Sequence, residues 1–149
     1  LGLTGRRDSI QAGVLLAKME VFDDELAARI RLGARYTKLI VEAFGKDSTR
    51  VRAPFMDPHN TSVYAQYTVE VGDREFVETR MKAQGVPTAV HYPLPLHLQP
   101  VFAHLGQGEG SFPVSEAASR RVISLPMHPY LSDADQVKVV SALQESVAA

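Results

Sequence analysis

Helical periodicity runs further into this chain than one small domain has use for. Leu15, Met19, Phe22, Leu26 and Ile30 recur at spacings of four, three, four and four, which is one face of a helix. Asp8 is placed to cap it, and Gln11 follows three residues later as in a capping box. Gly33 weakens the pattern without ending it, and Gly45 is the expected stop. A continuous helix over residues 8–44 would span roughly 55 Å at 1.5 Å per residue. The whole chain has 149 residues, enough for one core of ordinary size. A helix that outruns its own domain packs on something else, another domain or another subunit. A kink is expected near "FDDE", residues 22–25.

The rest alternates short strands with helices. "RVRAPF" (50–55) reads as a short edge strand ended by Pro54. "SVYAQYTVEV" (62–71) alternates cleanly, with Val63, Ala65, Tyr67, Val69 and Val71 on one face. Gly72 breaks it. Asp73 then caps a helix through Gln84, with Phe76, Val77 and Met81 inward and Gly85 as its stop. "TAVHY" (88–92) is the next expected strand. Strand, helix, strand over thirty residues makes one layer of helix on a sheet. A helix over 113–121 opens on a proline, where one is tolerated. "VISLPMHP" (122–129) reads as a short buried strand stopped by prolines. Ser132 with Asp135 resembles a capping box for a last helix with inner face Val137, Val140, Leu143 and Val147.

Composition excludes several function classes. Hydrophobic residues make up 45% and charged residues 22%, with a net charge of -1, so no nucleic-acid footprint is expected. There is no cysteine, which removes disulfides, thiol nucleophiles and cysteine-based zinc sites and fits a cytoplasmic protein. No apolar run reaches membrane-spanning length. The chain opens "LGLTGRRDSI", without an initiator Met, which reads as a piece of something longer.

The segment "HYPLPLHLQP" (91–100) carries three prolines within eight residues. Each fixes its own φ and removes a donor, and each pushes the residue before it toward extended backbone. Such a segment holds His91 and Tyr92 at a defined place, for packing or for chemistry. The five histidines, at 59, 91, 97, 104 and 128, have no helical metal-ligand spacing, and no metal site is expected. His97 and His104 read as loop or helix-surface residues, and Ser124 and Ser141 as packing. The glycines at 106, 108 and 110 form a loop without a phosphate fingerprint. None of the lysines at 18, 38, 46, 82 and 138 has the setting of a nucleophile. Arg6 and Arg7 stand just before a helix start, where arginine suits a carboxylate or phosphate. A solvated basic pair is the simpler reading from position alone.

Taken together, "GRRDSIQAGVLLAKMEVFDDELAARIRLGARY", "SVYAQYTVEV", "GVPTAVHYPLPLHLQP" and "VISLPMHPYL" resemble the C-terminal part of the DegT/DnrJ/StrS-type sugar aminotransferases. These are pyridoxal-phosphate enzymes acting on nucleotide-linked keto-sugars. The resemblance runs in order over nearly the whole chain. It is strongest to the branch that aminates a UDP-linked 3-oxo-N-acetylglucosaminuronate in bacterial surface-polysaccharide pathways. It implies an α/β, α+β-like fold: a long N-terminal helix, then a small, mostly antiparallel sheet with helices packed on it, forming the C-terminal domain of a fold-type I enzyme. Residues 1–45 would be the helix linking to a large cofactor domain, and 46–149 the small domain.

The resemblance also implies a homodimer whose active sites are shared across the interface. Residues matching Arg6, His91 and Tyr92 would reach the partner's nucleotide-sugar substrate. Thr4 would lie at the cofactor phosphate, where the family carries Asn. Its hydroxyl can still donate, over a shorter reach. The lysine that binds the cofactor would lie upstream of Leu1, so no catalytic residue is expected in these 149 residues and the segment alone would be inactive. Sugar dehydratases of the same family, in which that lysine is replaced, are the runner-up. A non-catalytic dimerisation or regulatory module is the reading from another class.

Overall fold

The computed structural model describes residues 9–148. Asp8, expected as the first cap, lies outside them, as do Thr4, Arg6 and Arg7. The long helical pattern folds as two helices, α1 (Ser9–Met19) and α2 (Phe22–Phe44). The break falls at Glu20 and Val21, immediately before the expected kink. Val21 supplies no side-chain cap, and the acidic run Asp23, Asp24 and Glu25 instead compensates the positive end of α2. Gly45 ends α2 at φ 87°, a left-handed region that favours glycine.

Three short strands follow: β1 (Val51–Arg52), β2 (Tyr67–Val71) and β3 (Val122–Leu125). They form one antiparallel sheet in the order β1-β2-β3. Helices α3 (Arg74–Ala83), α4 (Pro113–Arg121) and α5 (Asp133–Val147) complete the fold. The expected caps of α3 and α5 form. Asp73 accepts from the Phe76 N–H, and the Ser132 hydroxyl accepts from the Asp135 N–H while bonding the Asp135 carboxylate.

Tyr67, Val69 and Val71 of β2 and Ile123 and Leu125 of β3 face a core closed by α2, α3 and α5. From α2 come Leu32, Tyr36 and Ile40, all but fully buried. Each such side chain contributes about 1.5–3 kcal/mol by leaving water. The second half of the long helix is therefore core. The Leu15–Ile30 stripe is not: Leu15, Met19, Phe22 and Ile30 are exposed. The helix breaks within this stripe, and of its five residues only Leu26 is half-covered by the described residues.

Polar bonds fix the depth of α2. Thr37 donates to the Gly33 carbonyl, so Tyr67 is the donor in its 2.8 Å bond to Thr37, while Tyr36 donates to the Pro126 carbonyl at 3.0 Å. Burial pushes both phenols well above the usual tyrosine range, so both remain protonated donors. The fully buried Gln136 donates to the Leu32 carbonyl at 2.9 Å and accepts from Arg35 at 3.0 Å, tying α5 to α2.

Several sequence expectations shrink or move. The strand expected over 62–71 keeps only Tyr67–Val71. Tyr67 pairs with Leu125, and the next residue of β3 would be Pro126, which has no N–H to extend the ladder. Upstream, Tyr64 sits at φ 43° with its carbonyl accepting from Arg29 at 3.1 Å, so Val63 and Ala65 leave the buried face. The edge strand over 50–55 is two residues long, and Phe55 is exposed. The strand over 88–92 is a single bridge, Ala89 to Ser124, confined between Pro87 and Pro93. Phe76 and Val137 are exposed. In α5 it is Gln136, Val139, Val140, Ala142, Leu143 and Ser146 that face inward.

Gly33 gives a stability test. The ring of Tyr64 lies where a Cβ at Gly33 would stand, overlapping ring carbons that include the one nearest the backbone. Replacing a mid-helix glycine by alanine ordinarily gains about 0.5–1 kcal/mol. Forcing a methyl into a filled site costs about 1–3 kcal/mol, so the overlap wins here. Gly33→Ala is expected to lower the melting temperature, and Tyr64→Ala added to it is expected to recover part of the loss. A Gly33→Ala protein that melts higher would show that the ring moves freely.

Candidate functional site

The second face of the sheet builds the site. Side chains alternate along β3, so Ile123 and Leu125 enter the core while Val122 and Ser124 point the other way. On that side Val122 and α4 meet the proline segment. Two 3₁₀ turns, Leu96–Leu98 and Pro100–Leu105, curl the chain after Pro95, and Gly106 ends the second at φ 70°. Between these turns and α4 lies a groove of about 550 Å³. Its walls are largely apolar, from Leu94, Leu96, Phe102, Leu105 and Phe112.

His91 and Tyr92 stand at this groove. The Ala89–Ser124 bridge delivers them: Ala89 donates to the Ser124 carbonyl at 3.1 Å, and Ser124 donates to the Ala89 carbonyl at 2.7 Å. His91 is half-buried, with Nδ1 3.3 Å from the Ser124 hydroxyl. Tyr92 is 70% exposed. The two rings meet edge to face, their centroids 5.8 Å apart at 86°, and the peptide bond between them is cis. The segment thus presents one anchored ring and one free phenol, both able to hydrogen-bond a polar ligand.

A polar pair, His97 in the groove lining and Glu116 behind it, was not legible as such. His97 is not a surface residue: its side chain is 8% exposed, its ring lies against Phe112 at 4.8 Å, and Nε2 is 3.0 Å from Glu116. Glu116 is itself buried and accepts from the Gly110 N–H at 2.9 Å and the Phe112 N–H at 3.2 Å. This carboxylate closes the glycine loop onto the first turn of α4 and anchors the groove wall. The only sequence signal was an acid in the first turn of a proline-started helix, 19 residues from its histidine. Ser124 packs as expected, but it also holds His91.

Thr4 and Arg6 lie outside the described residues, so of the four expected site residues only His91 and Tyr92 are placed together. The groove lining carries no lysine or arginine, and the five lysines sit elsewhere. Among the described residues no cluster has the makings of a metal site, and no helix is long and apolar enough to cross a membrane.

The Glu116 contacts make the groove wall sensitive to acid. Hydrogen bonds from Gly110 above all, then from Phe112 and His97, hold its carboxyl below the usual value of 4.5. A depressed folded value means that the loop's stabilisation is complete above 4.5 and is lost as pH falls through the lower value. The protection of the Gly110 and Phe112 amides, relative to their intrinsic exchange at each pH, is expected to fall on acidification. In Glu116→Gln their exchange should be about tenfold faster at neutral pH, without the acid-dependent loss of protection. Equal protection in the variant would show that the loop closes without the carboxylate.

A profile of the DegT/DnrJ/EryC1/StrS aminotransferase family matches residues 1–144. UDP-2-acetamido-2-deoxy-3-oxo-D-glucuronate aminotransferase of Pseudomonas aeruginosa is 44% identical over 142 residues, 95% of this chain and 37% of that protein. A pleiotropic regulatory protein of Geobacillus stearothermophilus is 40% identical over 97% of this chain and 38% of its own length. The crystal structure of a DegT DnrJ EryC1 StrS aminotransferase from Brucella abortus superposes with a TM-score of 0.83 at 38% identity, covering 97% of this chain and 37% of that one. The chain thus spans little more than a third of each of these relatives. The helices on a small antiparallel sheet are those of the fold-type I pyridoxal-phosphate fold in these neighbours. The chain belongs to the DegT/DnrJ/EryC1/StrS aminotransferase family.

Proposed function

We propose that these residues serve an aminotransferase that moves an amino group from glutamate onto a nucleotide-linked keto-sugar for bacterial surface polysaccharide, in the cytoplasm. The substrate class is a UDP-linked 3-oxo-hexuronate. The observation that carries the reading is the 44% identity to a UDP-2-acetamido-2-deoxy-3-oxo-D-glucuronate aminotransferase along 95% of the chain. Pyridoxal phosphate, the family's cofactor, supplies the electron sink. In this reading the linking helix and small domain, residues 1–45 and 46–149, bind and orient substrate. Residues outside this segment hold the cofactor, with Thr4 contributing at its phosphate.

The working unit is a homodimer. The exposed apolar stripe of α1 and early α2 supports it, as does the position of Tyr92 at the edge of a groove. Arg6 pairs with a carboxylate or phosphate of the substrate bound by the partner subunit. His91 and Tyr92 hydrogen-bond the same substrate, held by the proline segment before it arrives. Geometry fixed in advance lowers the ordering cost on binding. The apolar walls beside them exclude water from those bonds and strengthen them.

A second reading follows from the regulatory protein among the relatives: the segment serves dimerisation or regulation without chemistry of its own. The two readings separate on Arg6. In the full-length protein, Arg6→Ala is expected to lower kcat/KM for the keto-sugar by at least about tenfold, the scale of one charge-assisted hydrogen bond. Unchanged turnover would remove Arg6 from the site and favour the regulatory module. The isolated 149-residue chain is expected to show no turnover, and activity in it, free of larger protein, would overturn the assignment of the cofactor lysine to another segment.

A further inference from the structure

We propose that His97 is a further ligand-binding residue of the groove, its Nδ1 a fixed acceptor for a neutral donor of the sugar. The proposal deepens the site described above and rests on that reading for the identity of the ligand. Two contacts set the ring. Phe112 packs on it, with 4.8 Å between ring centroids, and Nε2 lies 3.0 Å from Glu116 Oε1. Glu116 is anchored in turn. The Gly110 N–H reaches both its oxygens, at 2.9 and 3.0 Å, and the Phe112 N–H reaches Oε1 at 3.2 Å. The ring therefore has one position, between the first 3₁₀ turn and α4.

The carboxylate also fixes the proton. An ionised carboxylate only accepts, and its amide bonds keep Glu116 ionised at neutral pH. A bare Nε2 would set two acceptors against each other at 3.0 Å. The neutral ring therefore carries its proton on Nε2 and leaves Nδ1 bare. A protonated Glu116 facing a bare Nε2 needs one proton more, and is the charged pair with its proton shifted. Among the described residues Nδ1 makes no hydrogen bond. Arg74 Nε is the one buried side-chain nitrogen or oxygen left without a partner there, so Nδ1 is not sealed in. The ring is part of the groove lining, and Nδ1 opens to the groove. A side chain only 8% exposed, held at one nitrogen and bare at the other, is an acceptor fixed before a ligand arrives. The lining has no lysine or arginine, so the ligand part that fits there is neutral and not a phosphate or carboxylate. In the reading above, His91 and Tyr92 hold the sugar in this same groove. The neutral donors of a 2-acetamido-hexuronate are its hydroxyls and its acetamido N–H.

The test is 15N NMR of the histidine-labelled full-length protein, at a pH where the ring is neutral, with the His97 signals assigned by their loss in His97→Gln. Without ligand, His97 is expected in the Nε2–H form, and an Nδ1–H ring overturns the proposal. Saturation with UDP-N-acetylglucosaminuronate, which lacks the reactive ketone, is expected to move the Nδ1 signal in the direction of an accepted hydrogen bond. Binding that leaves it unmoved, or the same shift with UDP alone, overturns the proposal. UDP-glucuronate separates the two donors: the shift there assigns a hydroxyl, and its absence there assigns the acetamido N–H. In His97→Gln the side-chain amide can still donate to Glu116, but no acceptor stands at the Nδ1 position. Protection of the Gly110 and Phe112 amides is expected to persist, while Kd for UDP-N-acetylglucosaminuronate rises about fivefold to tenfold, the worth of one hydrogen bond. An unchanged Kd overturns the proposal. Should the glutamine loosen the loop, the shift in the wild type decides alone. A wild type that binds neither sugar overturns the substrate reading as well, whereas binding without the Nδ1 shift leaves that reading standing.

Discussion

Strand β3 is paired on both edges, and both faces of the domain depend on that pairing. On one side its ladder to β2 brings Ile123 and Leu125 into the core beside Tyr67 and Val69. On the other, the bridge at Ala89 captures the chain just before the proline segment. Four residues thus carry the packing and hang the candidate site on it. The two prolines of "LPMHP" keep the strand this short. Pro126 contributes in another way as well, since its carbonyl accepts the buried Tyr36 hydroxyl.

Rigidity in this domain is distributed unevenly, in a way that suits binding. Around His91 the backbone is bridged, and the ring is held at one nitrogen. Beyond it, prolines and 3₁₀ turns replace the ladder, and a single buried carboxylate gathers the glycine loop. A groove wall built on one ionised group is specific in shape yet cheap to open. Local opening of this kind is common where ligands enter. Tyr92, next to the anchored ring, keeps a phenol free for whatever docks against this face.

The sequence carried several helix ends well, because those signals are local. Asp73 and Ser132 cap as their spacing indicates, and Pro113 opens α4. The stripe from Leu15 to Ile30 reads as one face of one helix, but the helix breaks within it, between Met19 and Phe22. What escaped depends on contacts distant in sequence. Nothing near Tyr64 announces that Arg29 will take its carbonyl and end the strand early. Nothing near His97 announces Glu116. Val137 and Phe76 fit the helical period but fall on its outer margin, where one residue of rotation decides burial. The role proposed for His91 and Tyr92 came from family resemblance. Stiffness alone left packing and chemistry equally open.

The central claim is that this face of the sheet handles a nucleotide keto-sugar. Its most direct test is steady-state amination of a UDP-linked 3-oxo-hexuronate by the full-length protein, wild type against His91→Ala and Tyr92→Phe, with the melting temperature of each measured in parallel. The account predicts kcat/KM lowered by about tenfold to a hundredfold in both variants at unchanged melting temperature, the cost of one or two hydrogen bonds to a bound substrate. Full activity in both variants would contradict it and return the proline segment to a purely structural role.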